Sequence, residues 1–453
     1  MVLRRFLATA AAFTAAFAAA APASAFTTSE LKAVLAREMR AAPATSGAYV
    51  RDLASGAVLF AERATTPRIP ASVEKLFTTS SALLRLGPAA TLQTVAVTAP
   101  DAVVDPDGTL HGDLVLVGGG DPFFGDASAA RLARAVRATG IRRIDGAVVG
   151  DESAFDARRS GCCAGYDPDL GGVLSALAYD RGIFAGHAQL SAARFAATRF
   201  TAELKTAGVT ATGAAHAGTA PSGAKTIASL PSRSVAELAR YINVPSNNFA
   251  AEMLFRDLGA RFAGRGTLAN GAAVVRATVA ELGVHPHVVD GSGLSRNDRT
   301  SPREVVRLLE QLSKRAVGKA FRASLAVTGR TGTVKARMRG TPADGRCQVK
   351  TGTLRLVSGL SGYCHTAGGR DIAFSFMSNR ANTPAAKARE DRMAAAIARL
   401  SSAPTAAPAT PTSTSTSTTS APPPVPTTAT TPTAPATTAD QSAPKTGGAA
   451  PQP

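Results

Sequence analysis

Three short strings in the sequence carry residue types that together could transfer an acyl group to a serine. Such chemistry needs a nucleophile, a neutral base beside it, a proton relay toward the leaving amine, and hydrogen-bond donors for the oxyanion. The strings, in chain order, are Ser72-Val73-Glu74-Lys75, Ser246-Asn247-Asn248 and Lys350-Thr351-Gly352-Thr353.

We interpret Ser72 as the nucleophile and Lys75 as the base that activates it. The apolar spacing predicts a helix from Ser72 to Leu86, and a helix N-terminus favours negative charge on a serine oxygen. Lys75, three residues later, shares the face of Ser72. Lys75 must be neutral to accept a proton, and burial together with a second cation, for which Lys350 is the candidate, would lower its pKa. The alternative is that Ser72 merely caps the helix.

The second string supplies the proton relay. Ser246 is predicted to pass a proton between Lys75 and the leaving amine, while the amide of Asn248 holds a peptide group of the substrate. The alternative for this pair is ordinary capping of the helix that we predict from residue 248.

The third string is predicted to bind the substrate. Lys350 would hold its terminal carboxylate, with help from the hydroxyls of Thr351 and Thr353. Gly352 would let an extended peptide approach the strand edge and pair with it. The alternative is that Lys350 is an ordinary solvated lysine on a strand.

Each of the three patterns also occurs elsewhere in the sequence, so the surrounding elements must distinguish a catalytic string from a chance match. Only Ser72 opens a convincing buried helix, whereas the other copies lie at the mature N-terminus, in loops or in the polar tail, without a rigid scaffold. Those copies begin at Ser29, Ser222, Ser295, Ser442 and Lys445.

The elements around the strings predict a mixed α/β fold. Two strands joined by a turn are expected within residues 46–62, and further strands at 93–98, 114–117, 147–149, 346–353 and 358–366. Helices are expected at 72–86, 235–241, 248–257, 270–282, 302–314 and 384–400.

The two ends of the chain differ from this pattern. Arg4 and Arg5 precede an apolar run and then Ala23-Ser24-Ala25, which predicts a cleaved export signal, with an uncleaved membrane anchor as the alternative. From residue 402 the chain is almost entirely Ala, Pro, Thr and Ser, which cannot bury a core, so we predict a disordered tail.

The chain is strongly basic, with a formal charge of +18. The cations are scattered without interleaved aromatic residues, which argues against nucleic acid as a partner. Attraction to an anionic cell envelope is the functional interpretation of this charge, and general solubility is the alternative.

Four cysteines, at positions 162, 163, 347 and 364, permit three full pairings in an oxidising compartment. If Thr353 and Ser358 are opposed across a hairpin, Cys347 and Cys364 are opposed as well. That register predicts a disulfide between Cys347 and Cys364, with two buried free thiols as the alternative.

The three strings match the Ser-x-x-Lys, Ser-x-Asn and Lys-Thr-Gly set of penicillin-binding proteins and β-lactamases. Over roughly residues 45–400 the sequence resembles the low-molecular-mass class C penicillin-binding proteins, serine D-alanyl-D-alanine carboxypeptidases and endopeptidases that trim peptidoglycan. Further strings carry the resemblance: Pro70-Ala71-Ser72, Lys75-Leu76-Phe77-Thr78, Gly118-Gly119-Gly120-Asp121-Pro122, Asp290-Gly291-Ser292-Gly293-Leu294-Ser295 and Arg337-Met338-Arg339-Gly340-Thr341.

The resemblance implies a penicillin-recognising, transpeptidase-like fold, an antiparallel sheet flanked by helices. It implies peptidoglycan stem peptides as substrates and β-lactams as acylating inhibitors, without a metal or organic cofactor. The backbone N–H groups of Ser72 and Thr353 would form the oxyanion hole.

We accordingly predict a signal peptide at 1–25, a discontinuous catalytic domain from 26–88 and 236–401, a Val-rich inserted unit at 89–235, and a tail at 402–453. The 174 positions from Ser72 to Ser246 are fewer than larger family members use for two nested insertions, so we expect a reduced insertion. The surroundings of Cys162 and Cys163 depart from the family pattern.

The predicted function is that of an exported D-Ala-D-Ala carboxypeptidase, and the sequence does not distinguish this activity from cleavage of an equivalent cross-link by an endopeptidase. Two other functions compete with it. A β-lactamase would need a base that hydrolyses the penicilloyl ester, and no string identifies one. A cell-wall-binding scaffold with a vestigial site would not need the catalytic strings intact.

Overall fold

The computed structural model describes residues 25–161 and 167–401. The predicted export signal up to residue 24, the pair Cys162 and Cys163, and the predicted tail from residue 402 lie outside the described residues.

The strands of the described ranges are mostly short. In chain order they are β1 (Ser46–Asp52), β2 (Val58–Glu62), β3 (Thr91–Thr98), β4 (Thr109–Leu110), β5 (Leu114–Val117), β6 (Arg143–Ile144), β7 (Val148–Asp151), β8 (Ile183–Phe184), β9 (His187–Ala188), β10 (Thr210–Ala211), β11 (His216–Gly218), β12 (Lys225–Ser234), β13 (Ala326–Val327), β14 (Cys347–Leu354), β15 (Val357–His365) and β16 (Asp371–Asn379).

The helices carry most of the apolar residues outside the sheets. They are α1 (Thr28–Arg40), α2 (Lys75–Leu86), α3 (Asp126–Ala138), α4 (Ala192–Thr206), α5 (Val235–Asn243), α6 (Asn248–Ala263), α7 (Leu268–Ala280), α8 (Pro302–Ser313), α9 (Gly318–Ala323) and α10 (Thr383–Arg399), with 3-10 turns at Ala71–Glu74, Tyr179–Gly182 and Gly332–Val334.

A six-stranded sheet in the order β13-β14-β15-β16-β1-β2 forms the centre of the fold. All its neighbouring strands are antiparallel. Side chains along β16 alternate between the two faces, because successive residues of a strand point to opposite sides. Phe374 and Phe376 pack with α1 and α10, whereas Ala373 and Met377 pack with the helices on the other face. The predicted antiparallel sheet flanked by helices is therefore confirmed.

Residues between 91 and 234 build separate sheets. A five-stranded sheet in the order β11-β7-β5-β3-β12 and a three-stranded sheet in the order β10-β6-β4 share an apolar core with α3 and α4. The strands predicted at 93–98, 114–117 and 147–149 correspond to β3, β5 and β7.

The predicted register of β14 and β15 is confirmed. Thr353 opposes Ser358, and Cys347 opposes Cys364. A disulfide joins the two cysteines, whose Cα atoms are 4.0 Å apart. The strand that carries Lys350 is thus covalently tied to its neighbour.

Candidate active site

Ser72 lies in a 3-10 turn, and the predicted helix from Ser72 begins only at Lys75. Helical backbone cannot continue past Ser72 toward the N-terminus, because Ala71 has a φ of +49°, outside the helical region. The carbonyl groups of this turn meet glycines of other segments: a Cβ on Gly352 would collide with the Pro70 carbonyl, and one on Gly293 with the Ala71 carbonyl. Two close backbone contacts therefore fix the position of Ser72.

Lys75 lies directly beside the candidate nucleophile. Its Nζ is 2.9 Å from the Oγ of Ser72, and it also donates over 2.6 Å each to the Oδ1 of Asn248 and the carbonyl of Ser292. Lys75 is fully buried. Burial lowers its pKa to about 8, although Asp290 and other buried carboxylates act in the opposite direction. A substantial fraction of this amine is neutral slightly above neutral pH, which suits a general base.

The two candidate residues of the second string, Ser246 and Asn248, contact different lysines. Ser246, at a φ of +64°, accepts a 2.9 Å hydrogen bond from the Nζ of Lys350, not from Lys75. The Nδ2 of Asn248 donates over 2.7 Å to the carbonyl of Asp169, so both ends of that amide are engaged. Capping of α6 falls to Asn247, whose side chain accepts from the N–H of Ala250. The capping alternative therefore applies to neither Ser246 nor Asn248.

Lys350 is fully buried on β14, and its Nζ also donates over 2.9 Å to the carbonyl of Thr351. Burial, and then the charge of Lys75, hold the pKa of Lys350 well below its ordinary value. The charge of Lys75 thus lowers the pKa of Lys350, whereas the pKa of Lys75 itself is lowered by burial. The expected effect of Lys350 on the pKa of Lys75 stays a prediction.

The remaining residues of the third string lie along the outer edge of β14. β13 pairs only with Val349 and Gln348, which leaves the edge beyond Lys350 without a strand partner in the described part of the chain. The Oγ1 of Thr351 donates to the Oγ1 of Thr333 over 2.8 Å, and Thr353 is exposed. Gly352 faces the turn of Ser72, so its missing Cβ accommodates the protein's own backbone.

These groups surround a cleft of about 600 Å³. Five predicted residues line it: Ser72, Ser246, Asn248, Thr351 and Thr353. Seven further lining residues were not predicted: Asp169, Leu294, Thr333, Arg337, Leu354, Arg355 and Lys387. The other three predicted residues do not line the cleft and lie behind the residues that do: Lys75, Lys350 and Gly352.

A cluster of buried acids behind Lys75 also escaped sequence reasoning. Glu252 accepts hydrogen bonds from the N–H groups of Gly291 and Ser292, at 3.0 and 2.8 Å. Burial, and then the charge of Asp290, raise the pKa of Glu252 to about 7. Burial likewise raises the pKa of Glu74 well above its ordinary value. The available signal was the spacing of Glu252, one helical turn after Asn248 on the same face of α6.

The sequence profile of the D-Ala-D-Ala carboxypeptidase 3 (S13) family matches residues 27–169 and 172–400. This chain belongs to that family. It is a serine-type D-Ala-D-Ala carboxypeptidase, as the three strings predicted, and within the described ranges no helix is both long and apolar enough to span a membrane.

Relatives with curated names match most of the chain. A D-alanyl-D-alanine carboxypeptidase of Actinomadura sp. (strain R39) is 29% identical over 78% of this chain and 81% of its own length. Carboxypeptidase DacB of Mycolicibacterium smegmatis is 28% identical over 77% of this chain and 79% of its own length.

Among solved structures, penicillin-binding protein 4 of Haemophilus influenzae superimposes with a TM-score of 0.69 at 19% identity, over 80% of this chain and 97% of that protein. This likeness confirms the predicted penicillin-recognising fold.

Proposed function

We propose that this S13 carboxypeptidase cleaves D-Ala-D-Ala stem peptides of peptidoglycan through an acyl-Ser72 intermediate. The observation that carries the proposal is the 2.9 Å separation between the Oγ of Ser72 and the Nζ of the fully buried Lys75. The neutral amine takes the hydroxyl proton as the Oγ attacks the carbonyl of the penultimate D-Ala. The backbone N–H groups of Ser72 and Thr353 would stabilise the oxyanion.

Collapse of the tetrahedral intermediate breaks the peptide C–N bond, and the leaving amine must gain a proton. Ser246 lines the cleft and is bonded to Lys350, so we assign the proton delivery to Ser246. Ser246 gives its hydroxyl proton to the leaving amine and regains a proton from Lys75, which becomes neutral again, while Lys350 holds the oxygen of Ser246. Water then attacks the ester carbonyl, Lys75 accepts the proton of the water, and Lys75 returns that proton to the Oγ of Ser72 as the ester bond breaks.

Substrate binding is assigned to Asn248 and to the residues of β14. An extended peptide can pair with the free edge beyond Lys350, where Thr351 and Thr353 present their hydroxyls. Lys350 remains our candidate for the terminal carboxylate. A bound carboxylate would favour its charged form and so raise its lowered pKa.

We also propose that the protein is acylated by β-lactams and that it acts outside the cytoplasm. A structure of the Haemophilus influenzae protein with a β-lactam supports the first point. The predicted export signal supports the second, and the charge of +18 would favour retention at an anionic envelope. The division into a catalytic domain, an inserted unit at 89–235 and a tail is part of this proposal.

One experiment separates the competing functions. The mature protein and its Ser72→Ala variant are incubated with purified muropeptides and with a fluorescent penicillin, and the products are resolved by mass. Loss of the terminal D-Ala together with a lasting penicilloyl adduct, both absent from the variant, is expected. Rapid penicillin turnover would instead identify a β-lactamase, and no reaction with either compound would identify a scaffold. Cross-linked muropeptides in the same assay measure endopeptidase activity.

A further inference from the structure

A second cavity, of about 500 Å³, adjoins the catalytic cleft. It lies where the start of β1, the segment after β2, the loop before α8, the β14–β15 turn and the end of β16 meet. Arg355, in the β14–β15 turn, lines both cavities. We call the second cavity the arginine pocket, after its six arginines, Arg63, Arg68, Arg296, Arg299, Arg355 and Arg380.

The positive charge of the arginine pocket is poorly compensated. None of the described residues that line it is acidic. Glu62 pairs with Arg63 over 2.9 Å. Asp298, next to Arg299, is buried, and its Oδ1 accepts from the N–H groups of Val289 and Asp290 and not from an arginine. Five of the six pocket arginines therefore have no ion pair with an acidic side chain of the described residues, and their charges repel one another across one cavity.

The frame of the arginine pocket is rigid. The buried guanidinium of Arg68 donates to the backbone carbonyls of Thr45, Ser46, Arg63 and Thr66, over 2.6 to 2.9 Å. These bonds join the start of β1 to the segment after β2. Arg68 is therefore a structural tie, which leaves the other arginines to meet a ligand.

The other arginines of the pocket can still donate hydrogen bonds to a ligand. The Nη2 of Arg63 is buried without a hydrogen-bond partner among the described residues. Arg355 and Arg380 are exposed side chains. Arg296 donates to the carbonyl of Arg355 over 3.0 Å, which links the loop before α8 to the hairpin turn. Planar guanidinium groups held in this way suit the oxygens of carboxylates and phosphates.

Backbone strain is concentrated around the arginine pocket. Arg63, Leu356 and Arg380 have φ values of +45°, +62° and +52°. They are three of the nine residues other than glycine with positive φ in the described ranges, and Ser246 is another. Such conformations cost free energy and persist where the fold must aim particular groups. Two of these three strained residues are themselves pocket arginines, Arg63 and Arg380, so the strained backbone sets the direction of their side chains.

We propose that the arginine pocket binds an oxyanion, a carboxylate or a phosphate group, of the wall polymer whose stem peptide occupies the adjoining cleft. The identity of the polymer rests on the proposed function, whereas the oxyanion site does not. Because Arg355 borders both cavities, a chain that leaves the cleft past the hairpin turn reaches the arginine pocket next. The site would hold the polymer while Ser72 reacts.

Direct binding tests the oxyanion site, with inorganic pyrophosphate as the probe and calorimetry as the measurement. The variant Arg296→Gln/Arg380→Gln removes two pocket charges. The matched control Arg134→Gln/Arg194→Gln removes two exposed charges from α3 and α4. We expect the pocket variant to bind at least about 10-fold more weakly, and the control to bind like the wild type. Should the pocket variant unfold in a thermal melt, the single variant Arg380→Glu replaces it.

Two results would overturn the oxyanion site. One is an absence of saturable binding to the wild type. The other is an equal loss in both double variants, which would show general attraction to a basic surface.

The polymer is tested by turnover of one D-Ala-D-Ala muropeptide in three forms: with its other carboxylates free, with them amidated, and amidated but with a phosphate on the sugar. A carboxylate source predicts that the wild type prefers the free form, and a phosphate source predicts that it prefers the phosphorylated form. Either preference in kcat/KM should fall at least about 5-fold in the pocket variant. A wild type without either preference refutes the polymer assignment. Failure to cleave any form would refute the proposed function, while pyrophosphate binding still reports on the pocket.

Discussion

The carboxylate of Glu252 accepts a 2.8 Å hydrogen bond from the N–H of Ser292, the residue whose carbonyl accepts a hydrogen bond from Lys75. Glu252 thus holds the loop on which the base rests. Its negative charge also raises the pKa of Lys75, against the larger lowering effect of burial. Position and proton affinity of the base are therefore linked through one buried acid.

Glu252→Gln should move the acid limb of the pH–acylation profile to lower pH, by roughly 1 unit. A glutamine oxygen can still accept from the backbone, but the lost charge lowers the pKa of Lys75, so more amine is neutral at a given pH. The measurement is the rate of penicillin acylation against pH. Glu203→Gln, on α4, is the control and should leave the limb near pH 8, the pKa of Lys75. A limb that stays in place or moves upward in Glu252→Gln would refute this electrostatic role.

Ser72→Ala should abolish covalent penicillin labelling, because it removes the hydroxyl that we propose Lys75 activates. Lys75→Ala should slow acylation at least about 100-fold, since the proton acceptor is lost. Ser29→Ala and Ser222→Ala are the controls and should label normally. Labelling that survives Ser72→Ala would eliminate the assignment of the nucleophile.

Lys350→Ala should reduce kcat/KM more for a peptide with a free terminal carboxylate than for the matching ester. The reason is that the proposed anchor acts on the carboxylate alone. The ratio of the two values, compared with the wild type, is the measurement. An equal loss on both substrates would mean that Lys350 acts by holding Ser246 and not as the anchor.

Gly352→Ala should cause a severe loss of acylation, because the new Cβ would meet the Pro70 carbonyl and displace the turn of Ser72. Gly359→Ala is the matched control, since Gly359 opposes Gly352 and its Cβ would meet the tip of Val73 at 3.3 Å. We expect a much milder effect there. Thermal melting separates a displaced nucleophile from an unfolded protein. Normal acylation by folded Gly352→Ala would contradict the close packing.

Replacing both Cys347 and Cys364 by Ala should lower the free energy of unfolding by about 3 kcal/mol, because the bridge closes a loop with a sequence separation of 17. Denaturant titration measures the loss. Peptide mapping without reduction should show the two cysteine peptides joined in the wild type. A Cys347 peptide that is free, or linked to Cys162 or Cys163, would refute the pairing.

The features that depend on short-range patterns could be predicted from the sequence. Apolar spacing located α6 and α8, a turn between two segments located β1, and Val-rich composition located β5. The opposition of Thr353 and Ser358 led to the disulfide of Cys347. These features follow from the repeats of helix and strand, which neighbouring residues set. The family's catalytic strings are readable for the same reason, since each is a few residues long.

The partners of Lys75 in distant segments and the full set of residues that face the cleft depend on long-range packing and could not be predicted. Asn248 lies 173 positions from Lys75 and Ser292 lies 217 positions away, and no local pattern records such contacts. The start of α2 depended on the same long-range packing, since the backbone of Gly352 and Gly293 lies against the turn of Ser72 and the α-helix begins only at Lys75. The arginine pocket likewise gathers segments distant in sequence, so its charge became visible only where the folded chain brought them together.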